Sequence, residues 1–478
     1  MHQLSEQDAG FLDADTIHAN ANVTFVQIYD QSTAPGGKLR FKTILAHVAG
    51  RLHRSPIFRR KLLRVPLELD KPYWIGDENF DLEYHVRHIA LPQPGDWRQF
   101  CIQASRIHAR ALDLQRPLWE IYVIEGLDSI TDLPAGSFAV LTKIHHAAID
   151  VETRNGFIDV LHDLTPQPPP VEPPEPWFPE RAPGPVPLLA RAWLHLLMSP
   201  SKLSRPLVRA APSATAFARD LLQPQAPLHG TRFDAVVSPH RVFDTRRFGL
   251  DEFERIRGLV AGASVNDAVI AVCAGGLRRY LAAHAELPKG ELGAWVPLDA
   301  GADRAPAARS RRIRLGTSIG DPVQRLAWIR EQTAGAEPPS DARLPAPSCT
   351  LTHVPGPSAP VYLHGARMTY FSAILPIADG AGLVFAVSGY DGRIVVSPTS
   401  CRELMPDPQA FTQCVRDSFQ EYLALAEAGR RPPPRPRAAR PRASAADRPH
   451  PSARTARTAA SRARAAPADR PRSTTPRR

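Results

Sequence analysis

Residues 144–151 read IHHAAIDV, directly after the strand-like run Phe138 to Ile144. If the strand continued through the two histidines, His145 and His146 would point to opposite faces, so one of them enters a shared site. His146 and Asp150 are four apart, a spacing that a turn or short helix brings onto one side. Histidine suits the work of a general base because its ordinary pKa of about 6.5 lets it take and return a proton near neutrality. Moving an acyl group from a thioester to a hydroxyl needs such a base and a donor for the tetrahedral oxyanion, with no covalent enzyme intermediate. No GxSxG elbow offers a serine nucleophile, and without HExxH spacing or a Cys or carboxylate cluster no metal is expected. From these residues alone the histidine pair is open to a structural or a catalytic reading.

Upstream, Asn22 to Tyr29 (NVTFVQIY) and Trp119 to Ile124 carry the β-branched and aromatic enrichment of strands, and Trp97 to Leu112 has helical spacing of apolar residues. Downstream, 165–187 is proline-rich and reads as a linker. Leu188 to Met198 (LLARAWLHLLM) is an apolar helix, either packed on the body or lying on a membrane surface. Val265 to Leu281 reads as one long helix with Asn266 or Asp267 near its start, and Leu383 to Val396 as a hairpin around Asp391-Gly392.

The expected organisation is mixed α/β in two halves: 1–164, a linker and crossover helix over 165–230, a second half over 231–427, and a disordered tail over 428–478. The 478 residues carry a formal charge of +11. The last 49 residues, with 15 Arg and 2 Asp, hold +13 of it, leaving the body at −2. The basic balance therefore belongs to the tail, and nucleic acid is not an expected partner. Five scattered cysteines without a CxxC pair suggest a reducing cytoplasm. Neither a signal peptide nor a run of 18 apolar residues is present, so no membrane span is expected.

The histidine stretch resembles the HHxxxDG signature of the bacterial wax ester synthase and diacylglycerol acyltransferase family. The likeness extends over most of 1–427, through LSEQDAGFLDAD (4–15), PIFRRKL (56–62), YWIGDENFDLEYHVRHIALPQPG (73–95), LDLQRPLWEIYVIEGL (112–127), SVNDAVIAVCAGGLRRYL (264–281), THVPGP (352–357) and VSGYDGRI (387–394). It implies two domains of the CoA-dependent acyltransferase fold, chloramphenicol acetyltransferase-like, with the active site in a channel between them. It implies His146 as general base, His145 in support and Asp150 holding the loop. Asn266 and Asp267 match a pair near the channel, with a helix cap as the alternative.

The implied reaction takes a fatty acyl group from acyl-CoA, a substrate rather than a cofactor, to diacylglycerol or a long-chain alcohol. The implied setting is the inner face of the plasma membrane or a lipid inclusion. The sequence departs from the family at Val151, where Gly is usual, at His353, where Asn is usual, and in the short stretch between DPVQRL and THVPGP. A relative that only binds acyl-CoA or coats lipid, and an acyltransferase with a non-lipid acceptor, are the competing readings.

Overall fold

The computed structural model describes residues 1–149, 156–167, 170, 178, 181–198, 230–297, 310–335 and 347–430. All of them fall within one compact unit, 1–431. Two large sheets form its frame. The first runs, edge to edge, Tyr362–Leu363, Ala366–Ile374, Asn22–Asp30, Phe138–His145, Trp119–Glu125 and Val86–Ala90, antiparallel except for its last pair. The second runs Ser310–Arg314, Gly293–Pro297, Pro347–Pro355, Val384–Tyr390, Arg393–Cys401 and Arg241–Phe243, with Arg246–Gly249 pairing the other end of Arg393–Cys401. Its Gly293–Pro297, Pro347–Pro355 and Val384–Tyr390 strands are parallel. A small third sheet joins His2–Gln3, Tyr73–Gly76 and Arg60–Leu63.

The strands at the centre of the first sheet are buried on both faces, Asn22 to Tyr29 without a break and Phe138–His145 throughout. Continuous burial of this kind explains why NVTFVQIY shows no polar alternation. The long helix is Val265–Ala283, started by Ser264, whose Oγ accepts from Asp267 N at 3.1 Å while Asp267 Oδ2 accepts from Ser264 N at 2.8 Å. It packs on the closing helix Pro408–Arg430, where a Cβ on Gly276 would lie 2.8 Å from Val415 Cα. Only glycine permits that approach.

Two boundaries differ from the sequence expectation. Residues 231–427 are not a self-contained second half, because Tyr362–Leu363 and Ala366–Ile374 leave it to complete the first sheet beside Asn22–Asp30. The apolar run of Ala366–Ile374 finds a buried partner in NVTFVQIY, and a pairing between such distant segments has no local signature. The last helix continues to Arg430, past 427, toward the proline run at 432–434 that cannot extend it. The tail beyond Arg430, Asp150, Val151 and most of the expected linker lie outside the described residues. Among the described residues no helix is long and apolar enough to cross a membrane.

Candidate active site

The strand Phe138–His145 ends at the histidine pair, and a single 3-10 turn, His146–Ala148, follows it. His145 is 1% exposed and engaged on both nitrogens: Nδ1 accepts from Ala147 N at 3.1 Å and Nε2 lies 3.0 Å from Asp15 Oδ2. The first contact leaves the proton on Nε2, which donates to Asp15. Asp15 Oδ1 in turn accepts from Ala21 N at 2.7 Å, and Ala21 O accepts from His146 N at 2.8 Å. Asp15, His145, the backbone of 145–147 and Ala21 thus close a ring of hydrogen bonds around the point from which the His146 side chain leaves the chain.

His146 makes different contacts. Its ring stacks on Phe11, centroids 3.8 Å apart and planes at 24°, and lines a cavity of about 350 Å³. Burial lowers its pKa below the ordinary value, and the adjacent His145 acts in the same sense. The imidazole is therefore neutral at pH 7, the form that accepts a proton. Its Nδ1 is buried and makes no hydrogen bond among the described residues.

One wall of the cavity comes from Ala14, Ala19, Asn20, Ala21 and Val23, ahead of and within the first strand of the first sheet. The opposite wall comes from Thr350 and Thr352 on Pro347–Pro355, from Leu375 to Ala378, and from Ala381 and Val384. Ten of the fourteen lining side chains are hydrocarbon, which suits an acyl or alkyl chain. Of the four polar ones, Asn20 is committed to Ala109 O at 3.1 Å, whereas the Thr350 and Thr352 hydroxyls make no hydrogen bond among the described residues. Arg241, from the second sheet, donates to His18 O at 2.7 Å and ties the 14–21 loop to the opposite half.

The structure therefore brings His146 and His145 together with Phe11 and Asp15, which the chemistry of the sequence did not single out although both lie in the quoted block 4–15. It does not bring Asn266 or Asp267 to the cavity wall. Asn266 Nδ2 donates to Pro297 O at 2.9 Å, and Asp267 is held by Ser264 N and by the Thr333 hydroxyl at 2.6 Å. Asp267 closes the capping box of the helix, the capping alternative, whereas Asn266 ties the helix start to the end of the Gly293–Pro297 strand. His353 is exposed and does not line the cavity.

Residues 4–269 match the wax ester synthase/diacylglycerol acyltransferase catalytic domain, and 340–422 match the WS/DGAT C-terminal domain. The chain belongs to this family. It is 30% identical over 472 residues to a putative diacylglycerol O-acyltransferase of Mycobacterium tuberculosis (strain CDC 1551 / Oshkosh), covering 89% of this chain and 91% of that one. It is likewise 30% identical to an O-acyltransferase WSD of Acinetobacter baylyi, over 74% of this chain and 84% of the relative. The solved wax ester synthase/diacylglycerol acyltransferase of Marinobacter aquaeolei VT8 shares the fold, with a TM-score of 0.65 at 23% identity, over 89% of this chain and all of that one. Membership makes the chain an acyltransferase, and the catalytic-domain match contains the whole histidine ring.

Proposed function

We propose that this acyltransferase moves a fatty acyl group from acyl-CoA to the hydroxyl of diacylglycerol or a long-chain alcohol, with His146 as general base. The observation that carries the reading is a half-buried, neutral imidazole on the wall of a largely hydrocarbon cavity between the two sheets. His146 takes the proton of the acceptor hydroxyl as its oxygen attacks the thioester carbonyl. The Thr350 and Thr352 hydroxyls are the uncommitted donors on the opposite wall, suited to the tetrahedral oxyanion. Collapse breaks the carbon–sulfur bond, and the imidazolium returns the proton to the departing thiolate, giving ester and free CoA. His145 and Asp15 hold the turn, and Asp150 has the loop-holding part that the family signature implies. The acceptors are water-insoluble, which places the reaction at a membrane face or lipid inclusion.

The test follows free thiol release by purified protein from palmitoyl-CoA with diolein or hexadecanol. His146→Ala is expected to lose about 10² to 10⁴ in rate with the melting temperature unchanged. Full activity in His146→Ala, or wild-type protein that binds palmitoyl-CoA and transfers to neither alcohol, would overturn the assignment.

A further inference from the structure

Along one edge of the second sheet, neighbouring strands alternate in step. Ala294, Val296, Ile313, Cys349 and Leu351 turn into the core, each 3% exposed or less. Arg311, on that same side, donates to the carbonyls of Gln332 and Gly335 at 2.7 Å each, at the end of the helix Pro322–Ala334. The residues in between, Trp295, Arg312, Arg314, Thr350 and Thr352, therefore face the other way. That is the side of the cavity, because Thr350 and Thr352 line it.

Strand pairing puts four of these positions in register: Arg312 lies opposite Trp295, Trp295 opposite Thr350, and Thr350 opposite Val384. Paired residues share a face, so one row crosses four strands from the cavity to the open edge of the sheet. Its chemistry changes in order. Val384 offers hydrocarbon and Thr350 a hydroxyl in the cavity wall; beyond them come the Trp295 indole, 40% exposed, and the Arg312 guanidinium on the edge strand. Arg314 stands on the same face opposite Gly293, which puts no side chain in its way. The strands Ser310–Arg314, Gly293–Pro297 and Pro347–Pro355 contain no acidic residue. Arginines alone on an edge strand would serve to keep other chains from pairing with it. An exposed indole between them and the cavity adds apolar surface that such protection does not need.

We infer that this row seats the CoA part of the donor outside the cavity, with the pantetheine arm over Trp295 and the phosphates at Arg312 and Arg314. The inference rests on acyl-CoA as the donor, as proposed above, and adds where the rest of that donor lies. The groups along the row follow the order along an acyl-CoA: acyl chain, thioester, amide-bearing arm, phosphates. The lengths agree as well. Adjacent strands are about 4.8 Å apart, so the Arg312 backbone stands about 10 Å from that of Thr350 and its side chain reaches further. The roughly dozen bonds from the thioester sulfur to the first phosphate oxygen span about 14 Å when extended. A guanidinium matches phosphate geometry, and an indole suits an arm in which methylenes alternate with amides.

The experiment gives the full chain three donors cut back from the nucleotide end, palmitoyl-CoA, palmitoyl-pantetheine and palmitoyl-N-acetylcysteamine, with hexadecanol as acceptor. Arg312→Gln is expected to raise KM about tenfold for palmitoyl-CoA and less than about twofold for the two donors that lack phosphates. Trp295→Ala is expected to raise KM about tenfold for palmitoyl-CoA and palmitoyl-pantetheine, and less than about twofold for palmitoyl-N-acetylcysteamine. Affinity for free CoA, read by calorimetry without turnover, should fall with KM in both variants. If either substitution lowers the melting temperature, Arg312→Lys and Trp295→Phe, which keep a charge and a ring, should hold most of the CoA affinity, and a full loss in them overturns the inference. Equal KM shifts across the three donors, or wild-type CoA affinity in both variants, also overturn it. If the variants lose CoA affinity while wild type transfers to neither alcohol, the donor site stands and the proposed acceptors fall.

Discussion

Lowering the pH from 7 to 5 should unfold this protein more easily by an amount that three buried histidines set. Around the helix Gly156–Leu161, His47 Nε2 lies 2.8 Å from Leu161 O, and His162 bridges Ile158 O and the Tyr29 hydroxyl at 2.6 Å each. Arg51 clamps the same segment through Asp163 at 2.6 Å and through the carbonyls of Val160 and His162. Burial, the largest cause in each case, lowers His47 and His162 to about 4 and His108 to about 3. In the unfolded chain each returns to about 6.5. Between pH 6.5 and 4 the unfolded state therefore binds protons that the native state refuses, so stability is complete above 6.5 and falls as pH drops. An unfolded imidazole is about one quarter protonated at pH 7 and almost fully at pH 5, which amounts to about 2 kcal/mol lost per histidine over that interval. Three such groups remove about 5 to 6 kcal/mol, comparable with the whole stability of many domains. Urea unfolding at pH 7, 6 and 5 measures it. His47→Gln and His162→Gln should each flatten the pH dependence by about 2 kcal/mol, whatever they do to stability at pH 7. A pH dependence equally steep in both variants would refute the burial argument.

The other outcomes are more local. Asp15→Asn removes the charge that His145 donates to, and kcat should fall about 10-fold or more while KM for palmitoyl-CoA stays put, measured by thiol release. Phe11→Ala opens the face of the His146 ring to water, so the acidic limb of the pH–rate profile should move up toward 6.5; an unmoved limb would show that Phe11 does not maintain the low pKa. Gly276→Ala forces the helices Val265–Ala283 and Pro408–Arg430 apart and should cost about 1 to 3 kcal/mol in urea unfolding, with no cavity residue touched.

Local pattern carried much of the fold. The strands at Asn22, Trp119 and Phe138 and the hairpin at Asp391-Gly392 lie within a residue or two of where β-branched runs and turn chemistry put them, because burial on both faces leaves its mark on consecutive residues. The strand ends at His145 and His146 opens a 3-10 turn, so alternation does not govern the pair, though of the two only His146 lines the cavity. What stayed hidden depends on pairing across the chain: Ala366–Ile374 joining Asn22–Asp30, and Asp15 reaching His145. Nothing in the side chains near Asp15 distinguishes a residue that accepts from a distant imidazole from one that caps a turn. Asn266 shows the reverse, since its family position suggested the channel while its amide settles on Pro297 O.

The crossing of Ala366–Ile374 into the first sheet also bears on how the chain is made. Asn22–Asp30 pairs with Phe138–His145 on one side as soon as the first half has emerged, yet its other edge waits for a strand about 340 residues further along. At the usual 5 to 20 residues per second that is roughly 20 to 70 s with one edge of a strand buried in the finished protein left unpaired. Through that interval the nascent chain offers a template to any extended segment nearby, its own later strands included. A ribosome that stalls or terminates between Asp30 and Ile374 releases a product whose free edge has no partner to come, so truncated chains should enter inclusion bodies even where the complete chain is well behaved.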